Sequence, residues 1–200
     1  VEFLFAGLIG MQTFRVFSYT LFICSNDLKW GMYRLYIQAG ATPLEYSLAR
    51  GVNACIHLVG QLVVLMVGGA ILIGPALPLK ALSMVLVAIP GVLFWTFLGV
   101  AIGTRIQDYS TRDLVSSIVV LPVVFSSSAF YEMSKAPLFL QTISKVNPLS
   151  FTVDAMRMAY IGRWSSVVPL IAIMVAASLG ILAIANYLLP LKNLISGQRG

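Results

Sequence analysis

Three polar side chains interrupt the first apolar segment of the chain, and their spacing could support chemistry. Gln12, Arg15 and Tyr19 recur three and four residues apart, so a helix would place them on one face. A charge in the middle of a membrane span costs at least about 2.5 kcal/mol, so Arg15 is expected to face protein or water. Two roles follow for Arg15: a polar wall along a substrate path, or a side chain that is paired inside the bundle or reaches an interface.

A second polar row lies in the next apolar segment. Asn53, His57 and Gln61 are four residues apart and would form one stripe on a helix. Such a stripe most often makes hydrogen bonds between helices, and we favour that role over a direct part in transport. His57 could carry a proton only with an acidic partner, and the sequence has no Asp or Glu inside any predicted span. The pattern therefore argues against proton coupling.

The motifs that would indicate an enzyme or a metal site are absent from the sequence. One His and two isolated cysteines, Cys24 and Cys55, do not make a metal-ligand set, and we expect both thiols to be buried and unbridged. Without Gly-x-x-x-x-Gly-Lys-Ser/Thr, the chain cannot cradle ATP phosphates by that route. The hydrolase signatures Gly-x-Ser-x-Gly and His-Glu-x-x-His are missing too. We expect this chain to bind no metal and no cofactor.

The elements that would position the polar rows are membrane helices. Hydrophobic residues make up 59% of the chain, charged residues 10%, and the mean hydropathy is +0.93. A soluble domain would carry about 25% charged residues. Since a span needs about 20 apolar residues, the sequence predicts an all-α membrane protein, a polytopic helical bundle. The five predicted spans are Phe3–Cys24, Val52–Gly74, Leu82–Thr104, Leu114–Tyr131 and Ser166–Leu189.

Small residues at four-residue spacing predict close packing between some of these spans. The third span carries such a row, and so does the fifth, and both would let helix backbones approach closely. These rows indicate packing and imply no chemistry. They comprise Gly91, Gly99 and Gly103 in the third span, with Trp95 at the remaining position of that row, and Ala172, Ala176 and Gly180 in the fifth.

The connection at residues 25–51 is predicted to form an elbow of two short amphipathic helices. Asn26 or Asp27 would cap the first helix. Thr42 would cap the second, with Pro43 at its first position and Glu45 at its third. The elbow is either a solvated loop or a docking surface for a partner protein. The apolar side of its first helix would carry Leu28, Met32, Leu35 and Tyr36.

The segment after the fourth span predicts further short helices rather than a simple loop. Pro122 interrupts the span, and a short helix would then run from Pro137. Asn147 would cap a second helix with Pro148 at its first position. Asp154 and Arg157 would pair on the polar face of that helix. Helices with this pattern lie in the membrane interface or dip into it.

This order of features resembles the permease subunit of ABC-2-type transporters. The elbow pattern of that family is matched in order by Asp27, Gly31, Leu35 and Thr42-Pro43, although Ala39-Gly40-Ala41 stands where many members are rich in Leu. The broken span at Pro122 follows, and after it come the family-type residues Asn147, Pro148, Asp154 and Arg157.

The resemblance implies a particular architecture. Residues 1–200 would form one transmembrane domain showing five of six spans, with the first family span absent. Residues 25–51 would be a cytoplasmic elbow that couples to the ATPase, and residues 132–163 would be extracellular interfacial or re-entrant helices. Lys and Arg are slightly more numerous on the elbow side, which also predicts that this side is cytoplasmic.

The function implied by the resemblance is export driven by a separate subunit. Two permeases, identical or related, would lie in the cell membrane above two ABC ATPases that hold ATP and Mg. The cargo would be amphiphilic, lipid-linked, a drug or a polysaccharide. The alternatives are a secondary transporter or channel subunit without an ATPase, and an intramembrane enzyme. Scattered basic residues give no patch for nucleic acid, so the expected surroundings are lipid bilayer and protein partners.

Overall fold

The computed structural model describes residues 2–73, 76–129 and 135–189, and these form eight α-helices with no strand among them. The helices form mainly from long apolar runs, and three of the described helices contain a proline in their interior. In chain order the helices are α1 (Glu2–Lys29), α2 (Met32–Gln38), α3 (Pro43–Ile73), α4 (Ala76–Gly103), α5 (Tyr109–Phe125), α6 (Leu138–Ser144), α7 (Pro148–Tyr160) and α8 (Trp164–Leu188).

Three of the described helices are long and apolar enough to cross a membrane: Pro43–Ile71, Leu82–Gly103 and Trp164–Tyr187. They correspond to the second, third and fifth predicted spans. The first predicted span falls in α1, whose 28 residues include Arg15 near the middle. The fourth falls in α5, which has 17 residues and continues through Pro122 to Phe125. For α1 and α5 the membrane crossing therefore stays a prediction.

Helix α4 is the centre of the bundle, and α1 packs along it in parallel. Phe14 meets Trp95 edge to face at 4.7 Å between ring centroids. Four residues further along α4 and six residues further along α1, a Cβ atom on Gly99 would lie 2.9 Å from Cβ of Thr20. The absence of side chains at such positions is what lets the two backbones approach, as predicted for the third span.

Helix α8 packs on another side of α4, also in parallel. The Ser178 hydroxyl donates to the carbonyl of Pro90 at 2.9 Å, and Ala185 is buried with Val100 and Ala101 further along. The predicted close packing of the small row in α8 is not found within this chain. Ala172, Ala176 and Gly180 are exposed, and a Cβ on Gly180 would meet nothing within 4 Å.

Helix α7 is inserted into the bundle between α1, α4 and α8. Leu149, Val153 and Met156 are completely buried. A Cβ on Gly10 would lie 2.4 Å from Val153, and one on Gly91 would lie 2.6 Å from the hydroxyl of Thr152. Protein covers the predicted polar face of this helix in part, since the side chains of Asp154 and Arg157 are 46% and 19% exposed.

The elbow also differs from its prediction in its helix bounds. Asn26 and Asp27 cap no helix, because α1 continues to Lys29 and Gly31 precedes α2 in a left-handed conformation with φ 74°. The second short helix is not a separate element. Pro43 begins α3, which runs without a break into the apolar span because nothing between residues 43 and 73 stops a helix.

Candidate functional site

The two polar rows identified in the sequence meet between α1 and α3. The Tyr19 hydroxyl and Nε2 of His57 are 2.8 Å apart, and the two rings are 4.6 Å apart between centroids. This bond joins residues 38 positions apart in the chain. For His57, the favoured role of a hydrogen bond between helices is therefore present in the structure.

A cleft of about 420 Å³, lined by both polar and apolar groups, opens beside this contact. Arg15 is exposed in the cleft and its guanidinium donates to the side-chain oxygen of Gln12 at 3.4 Å. Oε1 of Gln61 is buried without a hydrogen-bond partner in the described part of the chain. We call this the Arg15 cleft, and it is lined by Arg15, Val16, Ser18, Tyr19, Phe22, His57 and Gln61.

The Arg15 cleft lies at the depth of a candidate membrane span. Phe14, the neighbour of Arg15, packs against Trp95, which lies well inside Leu82–Gly103. On the other wall, His57 lies in the middle of Pro43–Ile71. Arg15 does not point into the interior of the single chain, so its charge remains accessible to a ligand, to water or to another chain.

Asn53 belongs to a second cleft, nearer the elbow, of about 370 Å³. The elbow cleft is lined by Tyr36, Ala41, Glu45, Tyr46, Ala49, Arg50 and Asn53. Asn53 and His57 are one helical turn apart on the same face of α3. The polar face of α3 therefore runs from the elbow cleft to the Arg15 cleft.

A hydrogen-bonded ion pair fixes the elbow end of α1 against α3. Arg50 donates to the carboxylate of Asp27, and the Tyr46 hydroxyl donates to the same carboxylate oxygen at 2.7 Å. The Arg50 guanidinium also lies 4.9 Å from the centroid of the Tyr46 ring. Asp27 was predicted at the elbow, but Tyr46 and Arg50 were not. The sequence signal that could have identified Tyr46 and Arg50 is their four-residue spacing on the helix that begins at Pro43.

Helix α2 turns one aromatic side chain inward and an apolar face outward. Tyr33 is 1% exposed and packs edge to face on Tyr46 at 5.0 Å between centroids. Burial raises the pKa of the Tyr33 hydroxyl to about 12. On the outer side, Leu35 is 55% exposed, and Met32 and Tyr36 are exposed as well. Gly31 and Gly40 bound this helix with positive φ angles of 74° and 94°.

The predicted capping box at the start of α3 is confirmed. The backbone N–H of Thr42 donates to Glu45 at 2.7 Å, and the N–H of Glu45 donates to the Thr42 hydroxyl at 3.2 Å. Pro43 occupies the first helical position, where no N–H is needed. This reciprocal pair fixes the direction in which α3 leaves the elbow.

Asn147 joins the start of α7 to the end of α5. Its side-chain oxygen accepts from the N–H of Leu149 at 2.9 Å, which confirms the predicted cap. Its amide group donates to the carbonyl of Val123 at 2.7 Å and to the Ser126 hydroxyl at 2.9 Å. Pro148 is the first residue of α7, as predicted. The same side chain therefore caps one helix and holds another.

Asp154 and Arg157 bind the turn that follows α5. The predicted pair is present at 3.5 Å, but each side chain also has a partner in this turn. The Ser128 hydroxyl donates to Asp154 at 2.7 Å, and Arg157 donates to the Ser128 carbonyl at 2.7 Å. Burial raises the pKa of the Asp154 carboxyl, against the lowering effects of Ser128 and Arg157. Sequence reasoning did not assign Ser128 this role.

Comparison with known protein families decides the family of the chain. The model of the ABC-2 type transporter family matches residues 3–161. The chain belongs to this family. No curated protein matches it, and no solved structure does either. The matched region extends from α1 to the end of α7, so it contains the Arg15 cleft, the elbow and the Asn147 and Asp154 contacts.

The family sets the general role of the chain. The ABC-2 membrane domain is a transport permease without a nucleotide-binding domain, and such permeases normally work with an ABC ATPase. Within the described residues, no group of three metal-binding side chains occurs. Cys24 and Cys55 are free thiols, and Cys24 is buried as predicted, whereas Cys55 is half-buried.

Proposed function

We propose that the chain is the permease subunit of an ABC exporter in the cell membrane. It would move an amphiphilic, lipid-linked, drug or polysaccharide substrate out of the cell, using ATP hydrolysed with Mg on a separate ATPase. The family match over residues 3–161 carries the proposal. The polar face of α3, which connects the elbow cleft to the Arg15 cleft, supports a substrate path along this helix.

The outer face of α2 is our proposed docking site for the ATPase. Exposed apolar side chains at Met32, Leu35 and Tyr36 form this face, while Tyr33 anchors the helix from its inner side. The Thr42–Glu45 capping box and the Asp27–Arg50 ion pair connect the same region rigidly to α1 and α3. A displacement of α2 by the ATPase would therefore also move α1 and α3, the helices that line the two clefts.

A second permease, identical or related, would complete the path. The Arg15 cleft is open on one side in the single chain, and it lies at membrane depth. An arginine at that depth is costly when it faces lipid, so a second subunit is expected to cover this side. Closure of the ATPases would then tilt the elbows and change which end of the shared path is open.

Co-purification and ATP hydrolysis test this proposal. The permease purified alone should hydrolyse no ATP, and activity should appear when its ATPase is present. Leu35→Asp should reduce recovery of the ATPase, because the apolar face then carries an unpaired charge. Charge reversal in Glu45→Lys should also weaken recovery. Leu138→Asp is the matched control, since Leu138 is 80% exposed but belongs to α6, away from the elbow.

Each result has a definite meaning. ATP turnover by the isolated permease above a no-protein control would contradict the assignment of hydrolysis to a partner. Full recovery of the ATPase with both elbow variants would place the docking site elsewhere. Failure of any ATPase to accompany the wild-type chain would favour a transporter or channel that works without one.

A further inference from the structure

Arg15 is a positive charge that no carboxylate of the described chain neutralises. Its hydrogen bond is to the neutral amide of Gln12. Toward the C-terminal end of α1 the next acidic residue is Asp27, 12 positions away, which corresponds to about 18 Å of helix. A charge of this kind inside the membrane requires a polar or oppositely charged partner.

The five acidic residues whose side chains the structure describes already have partners of their own. Asp27 pairs with Arg50, Asp113 with Arg112 and Asp154 with Arg157. The remaining two act as helix caps: Glu45 bonds Thr42, and Asp108 bonds the N–H of Thr111 at the start of α5. None of these five carboxylates lines the Arg15 cleft.

A second copy of the chain would not remove this imbalance. In a dimer whose two-fold axis runs along the membrane normal, both Arg15 side chains lie at the same depth. If the two Arg15 clefts face each other across this axis, the lining that each copy contributes again contains Arg15 and no Asp or Glu. Two like charges facing one path raise its positive potential, which favours an anion between them.

The rest of the lining suits the anionic end of an amphiphile. Tyr19 and Gln61 carry O–H or N–H groups that can donate hydrogen bonds, and the Ser18 hydroxyl beside them shares a hydrogen bond with Ser116. Val16 and Phe22 supply an apolar wall beside them. Arg15 offers a planar fork of donors that matches the oxygens of phosphate, sulfate or carboxylate.

We propose that the Arg15 cleft binds an anionic headgroup carried by an apolar tail, with Arg15 as the group that pairs with its charge. Tyr19 can donate its single O–H to the headgroup when Nε2–H of His57 donates to the phenol oxygen, and Gln61 can add a second neutral hydrogen bond. The inference rests on the proposed transport function, and it narrows the substrate from amphiphiles in general to anionic ones. The cleft volume of about 420 Å³ accommodates a headgroup and the start of its tail.

Equilibrium binding of radiolabelled dodecyl phosphate tests the inference. The full chain would be placed in nanodiscs of phosphatidylcholine, without ATP, and titrated with the probe. Loss of a charge-assisted hydrogen bond in Arg15→Gln should weaken binding at least about tenfold. Arg15→Lys keeps the charge and should retain most of the affinity. Tyr19→Phe removes one neutral bond and should weaken binding less than Arg15→Gln does.

Matched controls separate a site from general attraction. Arg34→Gln removes the same charge from an exposed position on α2 and should leave binding unchanged. Dodecyl maltoside and dodecyltrimethylammonium have similar tails without a negative charge, and their binding should not depend on Arg15. Inorganic phosphate is the final probe. If phosphate alone binds and its binding depends on Arg15, the site also accepts free anions. If phosphate alone does not bind, the site requires a headgroup with a tail.

Three outcomes would overturn the inference. Equal weakening by Arg15→Gln and Arg34→Gln would show non-specific attraction, and unchanged binding in Arg15→Gln would show that Arg15 does not hold the ligand. Competition by dodecyl maltoside as strong as by dodecyl phosphate would remove the preference for anions. Since these titrations need neither ATPase nor transport, they fail or succeed independently of the co-purification experiment.

Discussion

At the scale of single residues, the Asp27–Arg50 pair controls how α1 meets α3. Their side chains are 13% and 17% exposed, so neither charge is fully hydrated. The Tyr46 hydroxyl donates to the same carboxylate oxygen as Arg50 does. The charge of Asp27 is therefore stabilised by both neighbours. Removal of one charge from such a pair costs more than the pair itself contributes, because the remaining charge stays partly buried.

Arg50→Leu should therefore destabilise the chain by about 2 kcal/mol, between the values for exposed and buried pairs. The double variant Asp27→Asn, Arg50→Leu should recover part of this loss, because no unpaired charge remains and the asparagine can still accept from Tyr46. Thermal unfolding of the purified permease in detergent measures both. A double variant less stable than Arg50→Leu would show that the Asp27 charge has another partner.

Gly99 and Gly180 allow a matched test of how closely the backbones of α1 and α4 approach each other. A Cβ on Gly99 would lie 2.9 Å from Cβ of Thr20 and 3.1 Å from the carbonyl of Phe17, so Gly99→Ala forces α1 and α4 apart. We expect a loss of about 1–3 kcal/mol. Gly180→Ala meets nothing within 4 Å and should be neutral or slightly stabilising. Equal unfolding temperatures for the two variants would contradict the packing of α1 on α4.

At the scale of elements, Asn147 is the side chain through which α5 positions α7. Asn147→Ala removes the cap and leaves the partly buried Val123 carbonyl without its donor, for a loss of about 2 kcal/mol. Asn147→Ser keeps a capping oxygen and loses only the amide donors, so it should lose less. Thermal unfolding and protection of α7 from hydrogen exchange measure the difference. Equal losses would mean that the cap contributes nothing.

The sequence predicted the elements whose signals are local. The capping box of Thr42 and Glu45 and the cap at Asn147 depend on residues within three positions, and both are present. The insertion of α7 was not predictable in this way, because the partners that cover its polar side, Ser128 among them, come from a different part of the chain. An amphipathic pattern identifies a polar face but does not say whether water or protein covers it.

The candidate site shows the same division. Each polar row was visible from its spacing, but the contact of Tyr19 with His57 depends on how α1 packs against α3. The continuous α3 was missed because Thr42 and Pro43 mark the start of a helix and say nothing about its end. The exposure of Arg15 could not be predicted from the sequence either, because it depends on which helices pack against that face of α1.

At the scale of the whole molecule, the packing gives each end of the bundle a distinct set of elements. Because α1, α4 and α8 are parallel, their C-terminal ends lie together at one end, beside α2 and the start of α3. Gly10 of α1 and Gly91 of α4, which pack against α7, lie nearer the other end of the bundle. The elbow and the 135–163 segment are therefore expected on opposite sides of the membrane.

Cysteine labelling in intact cells tests this arrangement. Cys24 and Cys55 would first be replaced by Ala, and single cysteines would then be placed by Arg34→Cys on α2 or Lys145→Cys after α6, both at exposed positions. A membrane-impermeant maleimide should label Lys145→Cys in intact cells and Arg34→Cys only after lysis. Arg163→Cys, exposed ahead of α8, should behave like Lys145→Cys. Labelling of all three from one side would contradict the separation of the two ends, and the reverse pattern would place the elbow outside the cell, where no ATP-driven partner could reach it.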